Sequence, residues 1–249
     1  MRKLRDFIIA LIIIAALGTL IYYMYQRTSA RTSRDLARRI AEISPTGGPP
    51  ESIEGLRQAI ALYEDQIERN VREGAQTGVY WKILAMRLID RDMDNDALEA
   101  LERAIYYNSE DPVLFYLTGI SAAKVGKSKV GFSAASQREQ EHYYRLAENA
   151  YKRALELDIT YIRPMYGLAI LYAFELDRPL DAIVQLERLL LLTPSDTSAM
   201  FVLARAYFMT ENFTRAIEMY DRILDRSRDK QIREEAMYLK DIVQGMLYG

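Results

Sequence analysis

Residues 78–111 read GVYWKILAMRLIDRDMDNDALEALERAIYYNSED, and residues 197–230 read TSAMFVLARAYFMTENFTRAIEMYDRILDRSRDK. Take Trp81, Leu84, Ala85, Leu88, Ala97, Leu101, Ala104 and Ile105 in the first stretch. They lie 3, 4, 7, 16, 20, 23 and 24 positions after Trp81. Met200, Leu203, Ala204, Tyr207, Ala216, Tyr220, Ile223 and Leu224 keep the same offsets from Met200. Spacings of 3, 4 and 7 put side chains on one face of a helix. The gap between the two groups is a short turn, so each stretch describes a pair of helices. Ala97 and Ala216 fall where the two helices touch, and a larger side chain there would overpack the contact.

Working outward, the same unit returns with small changes. From Pro112, Phe115 and Gly119 are in place, Gly126 falls at the expected turn, and Tyr144, Ala147, Tyr151, Ala154 and Leu155 resume the second helix. Residues 127–143 (KSKVGFSAASQREQEHY) stand where one residue is expected; their Gly, Ser and charge content favours a flexible loop, and the alternative is a partner-specific contact anchored by Val130 and Phe132. The third copy, 162–196, carries Met165, Leu168, Ala169, Tyr172, Ala182 and Pro194, with one extra residue in its turn. Gly is missing from the turns of the first, third and fourth copies. Residues 51–77 read as a lone second helix through Ala59, Tyr63 and Ile67. Residues 231–249 read as a capping helix with Ile232, Ala236, Leu239, Val243 and Met246 on one stripe.

This pattern resembles the tetratricopeptide repeat family, whose 34-residue unit carries an aromatic, Leu-Gly/Ala, Tyr, Ala, aromatic, Ala and Pro in that order. The resemblance spans repeats at 78–111, 112–161, 162–196 and 197–230. It implies an all-α fold, a right-handed α-solenoid of helical hairpins whose first helices line a concave groove. It also implies where a ligand touches. Carried over position by position, the groove residues are Lys82, Met86, Ile89, Tyr116, Ile120, Arg163, Tyr166, Ile170, Phe174, Phe201, Arg205 and Phe208. Tyr116, Tyr166 and Phe201 share one repeat position and are expected to form an aromatic ladder. The family's carboxylate clamp uses Lys and Asn; Met86, Ile120, Ile170 and Arg205 occupy one of its positions, with no Asn. An extended segment or amphipathic helix with apolar anchors suits such a groove better. Aromatics and Arg also dominate binding hot spots. The chain's own terminal helices folding into the groove, and self-association through it, are the competing occupants.

The N-terminal end has a different character. Phe7–Tyr25 (FIIALIIIAALGTLIYYMY) holds 19 residues without a charge. As a helix it spans roughly 28 Å, about the hydrocarbon core of a bilayer. Tyr22, Tyr23 and Tyr25 cluster at one end, where aromatic rings favour the headgroup layer. The run is longer than a signal peptide's apolar region and no A-x-A site follows, so an uncleaved transmembrane helix is expected. Residues 1–6 form a basic tail, and 26–50 an Arg-rich juxtamembrane segment ending in a Pro/Gly linker. Residues 1–39 hold eight bases against two acids, a charge of +6, and the whole chain carries −2, which leaves −8 for the remaining 210 residues. Charge counting alone favours a cytoplasmic body. A six-residue tail with three positive charges resists translocation, so the expectation is a single-pass inner (cytoplasmic) membrane protein, N-terminus inside and repeat body periplasmic.

Composition removes much chemistry. There is no Cys and only one His, so disulfides, thiol catalysis and Cys- or His-based metal sites are not expected. The acidic body argues against nucleic acid as a partner. Gly126-Lys127-Ser128 lacks the upstream Gly and strand of a phosphate loop. His142 has no second ligand. No catalytic residues, cofactor or metal are therefore assigned, and the chain is not expected to be an enzyme. The expected partner is a protein or peptide, with the membrane engaged through 7–25. The function expected is a membrane-anchored scaffold for assembly of a cell-envelope complex, the alternative being a holdase-like accessory that binds unfolded chains.

Overall fold

The computed structural model describes residues 52–248 apart from 130 and 132, together with Arg38. The expected transmembrane segment 7–25 lies outside the described residues. No described helix is long and apolar enough to cross a membrane. The chain divides into two compact units, Met1–Glu73 and Gly74–Gly249.

The described residues are helical and contain no strand: α1 Ile53–Ile89, α2 Asp94–Tyr107, α3 Pro112–Ser128, α4 Ala134–Leu157, α5 Ile162–Ile170 continued by a π-helical segment Leu171–Glu175, α6 Pro179–Leu192, α7 Thr197–Met209, α8 Phe213–Arg226 and α9 Lys230–Tyr248. Sequence punctuation explains most of the starts. The Asp111 carboxylate accepts from the Val113 N–H at 2.9 Å, with Pro112 at the first helical position. Ser133 caps α4, Asp196 caps α7 and Asn212 caps α8 through the same kind of bond.

In the first unit the described part of α1 exposes Ile53, Leu56, Ile60, Tyr63, Ile67 and Val71. The second unit is a tetratricopeptide-like solenoid. Helices pack on their neighbours in chain order, and the first helices of successive repeats also touch, α3 on α5 and α5 on α7. The small residues picked out by spacing lie in the core: Ala85, Ala97, Ala104, Ala147, Ala154, Ala169, Ala182, Ala204 and Ala216 are fully buried. A small core of Ala85, Ala100, Leu101, Ala104 and Leu114 is flanked by Trp81 and Leu88. A larger one runs from Ala122 to Val243. The last helix closes it by burying Ala236 and Val243. Lys240 ties it to Asp221 on α8 at 2.6 Å, and the Arg233 guanidinium donates to the Leu224 carbonyl at the end of α8.

Three expectations are corrected. The lone helix of 51–77 and the first helix of the 78–111 repeat are one continuous helix, α1. No proline interrupts 53–89, and Gly78 is needed for close packing: a Cβ there would lie 2.7 Å from the Tyr107 Cβ. The 127–143 insertion is not a long loop. Only five residues separate α3 from α4, and most of the insertion lengthens α4 to 24 residues. Val130 and Phe132 fall outside the described residues. Gly126 is not in a turn but inside α3, where a Cβ would stand 2.7 Å from the Tyr144 ring.

The turns lacking Gly carry backbone strain instead. Asp92, Asp177 and Glu211, one per turn, take positive φ of 55°, 50° and 58°. The extra residue of 162–196 is absorbed by the π-helical segment. The closing bond from Met93 N–H to the Leu88 carbonyl has its counterpart from Asn212 N–H to Tyr207, five residues apart in each case; in the third repeat it runs six residues, from Arg178 N–H to Tyr172 at 2.8 Å.

Candidate functional site

Tyr116 and Ile120 sit one turn apart on α3, and Arg163, Tyr166 and Ile170 follow one stripe of α5. Because α3 and α5 lie side by side, these residues line one hollow of about 330 Å³. Tyr151 forms its floor. Gly119 and Gly167 let both helices close on that ring, since a Cβ would lie 2.4 Å from it at Gly119 and 2.7 Å at Gly167. Tyr116 packs on Tyr151 and Tyr161, with centroids 6.4 and 5.4 Å away. Burial pushes the Tyr151 hydroxyl well above its ordinary pKa, helped by Tyr116. Tyr166 is raised by burial and then by the charge of Asp196.

The next hollow, about 300 Å³, lies toward the C-terminal end. Phe201, Arg205 and Phe208 reach it from α7, and Phe174 reaches it from the π-helical segment. The Arg205 guanidinium rests over the Phe174 ring, 4.6 Å from its centroid. Phe201 leans on Tyr220 at 6.2 Å, and Phe208 on Phe213 at 5.7 Å. The capping helix supplies the remaining wall through Leu239, Ile242 and Val243. It therefore borders the groove and leaves this hollow open.

Nine of the twelve residues chosen by repeat position thus line two adjacent hollows on the first-helix face. Lys82, Met86 and Ile89 line neither. Lys82 is bound to Asp111 at 2.6 Å, Met86 is exposed, and Ile89 packs against the small core. Tyr116, Tyr166 and Phe201 share the face without stacking on one another; the ring partners of Tyr116 and Phe201 are Tyr151, Tyr161 and Tyr220. Repeat positions could not reveal the wall given by α9, because it comes from outside the repeats. Its apolar stripe was the available signal.

Lys124, Lys127 and Glu175 stand at the rim of the first hollow. Glu175 accepts from the Tyr144 hydroxyl at 2.5 Å, so α4 grips the π-helical segment. A second such tie links α4 to the third repeat. Burial opposes ionisation of Glu148, but hydrogen bonds from Lys152, Tyr172 and Arg178 outweigh it and hold its carboxyl below the usual range. Among the described residues no group of three His, Cys, Asp or Glu side chains is placed to hold a metal ion. His142 is exposed beside Tyr143.

Residues 168–230 match the profile of the tetratricopeptide repeat family. The match takes in most of the third repeat and all of the fourth. No curated protein sequence matches the chain. Solved structures do. A MamA fragment (41-end) from Desulfovibrio magneticus RS-1 is 18% identical, with a TM-score of 0.53 over 68% of this chain and 94% of that one. YrrB, described as a TPR protein with an unusual peptide-binding site, is 20% identical, with a TM-score of 0.53 over 75% of this chain and 85% of that one. A thermophilic TPR protein of Thermus thermophilus is 16% identical, with a TM-score of 0.53 over 82% of this chain and 97% of that one. Identities this low speak to the fold, which these proteins share with the chain.

Proposed function

We propose that this chain is a membrane-anchored scaffold that holds a segment of a partner protein in the groove formed by Tyr116, Ile120, Tyr166, Ile170, Phe174, Phe201 and Phe208. One observation carries the reading: two apolar, aromatic hollows open side by side on the first-helix face. A soluble protein gains nothing by leaving such surface in water, and contiguous apolar concavities mark sites for other proteins. Proteins of tetratricopeptide fold generally mediate protein–protein interactions, and the YrrB structure is described as having a peptide-binding site. The role proposed is binding, not catalysis. The uncharged run Phe7–Tyr25, flanked by basic residues, supports the anchor, and the anchor supports assembly of a cell-envelope complex as the setting.

The test is site-specific photocrosslinking in cells, with the crosslinker at Tyr166 or Phe201 and, as a control, at exposed Leu191 on α6. One dominant adduct at the groove positions only is the expected result. Tyr166→Ala with Phe201→Ala should abolish it without changing helical circular dichroism. Many weak adducts of unrelated proteins would instead indicate a holdase. Protease accessibility of the repeat body in intact against permeabilised cells tests the periplasmic placement.

A further inference from the structure

The groove cations fall into two groups. Lys82 is neutralised by Asp111 at 2.6 Å, Lys124 by Asp92 at 2.9 Å and Asp94 at 3.7 Å, and Lys127 by Glu175 at 3.9 Å. Arg163 and Arg205, one in each hollow, form no ion pair with any described residue. Arg163 lies close enough to Tyr161 for its charge to favour ionisation of that hydroxyl, and Arg205 lies on the Phe174 ring. Both are exposed. The acids nearby do not serve them: Asp111 is taken by Lys82, and Glu235 shares a wall with Arg205 without pairing. Each guanidinium therefore lies beside an aromatic side chain with donors to spare.

Covering a guanidinium with an apolar partner strands a charge, which is costly. A carboxylate relieves that cost, because Arg presents a fork that matches it. Resting on the reading of the groove as a protein-binding site, we infer that its partner is an extended internal segment carrying two acidic residues. Each acid stands next to a bulky apolar residue, and the two pairs are three to five residues apart. Aromatic or aliphatic side chains fill the hollows while the acids meet Arg163 and Arg205.

The spacing comes from the helices. The first hollow draws on Tyr166 and Ile170, and the second begins at Phe174 on the continuation of the same helix. That is roughly 6–12 Å along the axis. One helix-to-helix step of about 8–10 Å adds a sideways displacement. Together they give roughly 10–15 Å, which an extended chain covers in about three to five residues. The origin of the preference is local. Residues 40–249 carry −8, so the long-range field of the body repels acids, and a measured preference for acids must come from the groove.

The probes are four fluorescein-labelled, C-terminally amidated peptides, GDFGGDFG, GNFGGNFG, GKFGGKFG and GDAGGDAG, titrated against the full chain in detergent and read by anisotropy. The Asp peptide should bind about tenfold tighter than the Asn peptide at low salt, with the gap narrowing as salt rises. Arg163→Gln or Arg205→Gln should each reduce the gap to about threefold, and both together should remove it. Arg163→Glu with Arg205→Glu should pass the preference to the Lys peptide. Helical circular dichroism checks each variant, and the salt series on the unaltered chain needs no variant. If the Asp and Asn peptides bind alike, or if the preference survives both arginine changes, this inference is overturned while groove binding stands. If GDFGGDFG and GDAGGDAG bind equally weakly, groove binding falls with it.

Discussion

Gly119 lies in the middle of α3, where helix propensity alone asks for alanine and rewards it with about 1 kcal/mol. Packing asks for the opposite. A methyl at Gly119 would stand 2.4, 2.5 and 2.8 Å from Cε1, Cδ1 and Cζ of Tyr151, where carbon atoms need roughly 3.5–4.0 Å. The ring would have to retreat by about 1 Å. It has no room, because Gly167 closes on it from α5 and Tyr116 packs against it as well. Overpacking costs about 1–3 kcal/mol, and a trapped ring belongs at the upper end. After the propensity gain, Gly119→Ala should destabilise by roughly 1–2 kcal/mol, a fall in Tm of about 2–8 °C.

Thermal and urea unfolding followed at 222 nm supply the measurement. The informative partner is Tyr151→Leu, which removes the ring. In that background Gly119→Ala should be neutral or stabilising by up to about 1 kcal/mol, so the two changes couple strongly. The same ring floors the first hollow, so Gly119→Ala should also weaken peptide binding there. If Gly119→Ala alone raises Tm, the ring is free to move and the account of why α3 and α5 approach so closely is wrong.

Glu211 is strained at φ 58°, and Gly adopts that conformation without penalty. Glu211→Gly should stabilise by about 0.5–1 kcal/mol in the same melts, whereas Asp92→Gly should gain less, because Asp tolerates the left-handed region. Alkaline pH should unfold the chain. The folded pKa of Tyr151 lies above the ordinary value near 10, owing to burial, so its contribution is complete below pH 10 and is lost as pH rises beyond. The expected slope is about 1.4 kcal/mol per pH unit from this residue. Tm measured from pH 9 to 12 should fall less steeply in Tyr151→Phe; an unchanged slope would remove Tyr151 from the account.

What could be read from the amino acids alone follows from which contacts are periodic. Alanines at fixed offsets were bound to be the helix–helix contacts, because only a small side chain lets two helices meet. The groove face was expected from the family resemblance, which carries Tyr116, Tyr166 and Phe201 over by repeat position. Glycine misled at Gly126, where a turn was the reading and close approach to the Tyr144 ring was the fact. The 127–143 segment misled for a different reason. Its polar composition suits a loop, but on α4 the same residues face solvent on a helix that already buries Tyr144, Ala147 and Tyr151 on its other side.

One extra residue in the third repeat shows how length itself can carry function. A surplus residue in a short turn could bulge outward and leave the groove untouched. Here the backbone widens inside the first helix at Leu171–Glu175. π-Helical turns of this kind recur at functional sites because they change where neighbouring side chains face. The segment hands Phe174 to the second hollow, under Arg205, and Glu175 to the rim of the first, where Tyr144 and Lys127 hold it. The wall between the two hollows is thus built from the stretch where the third copy departs from the repeat. Deleting Asp177 to restore a 34-residue unit would return the turn to the five-residue closing bond seen at Met93 and Asn212. Phe174 would then lose its place beneath Arg205. The fold would persist, since the buried alanines stay in register, and peptide affinity would fall.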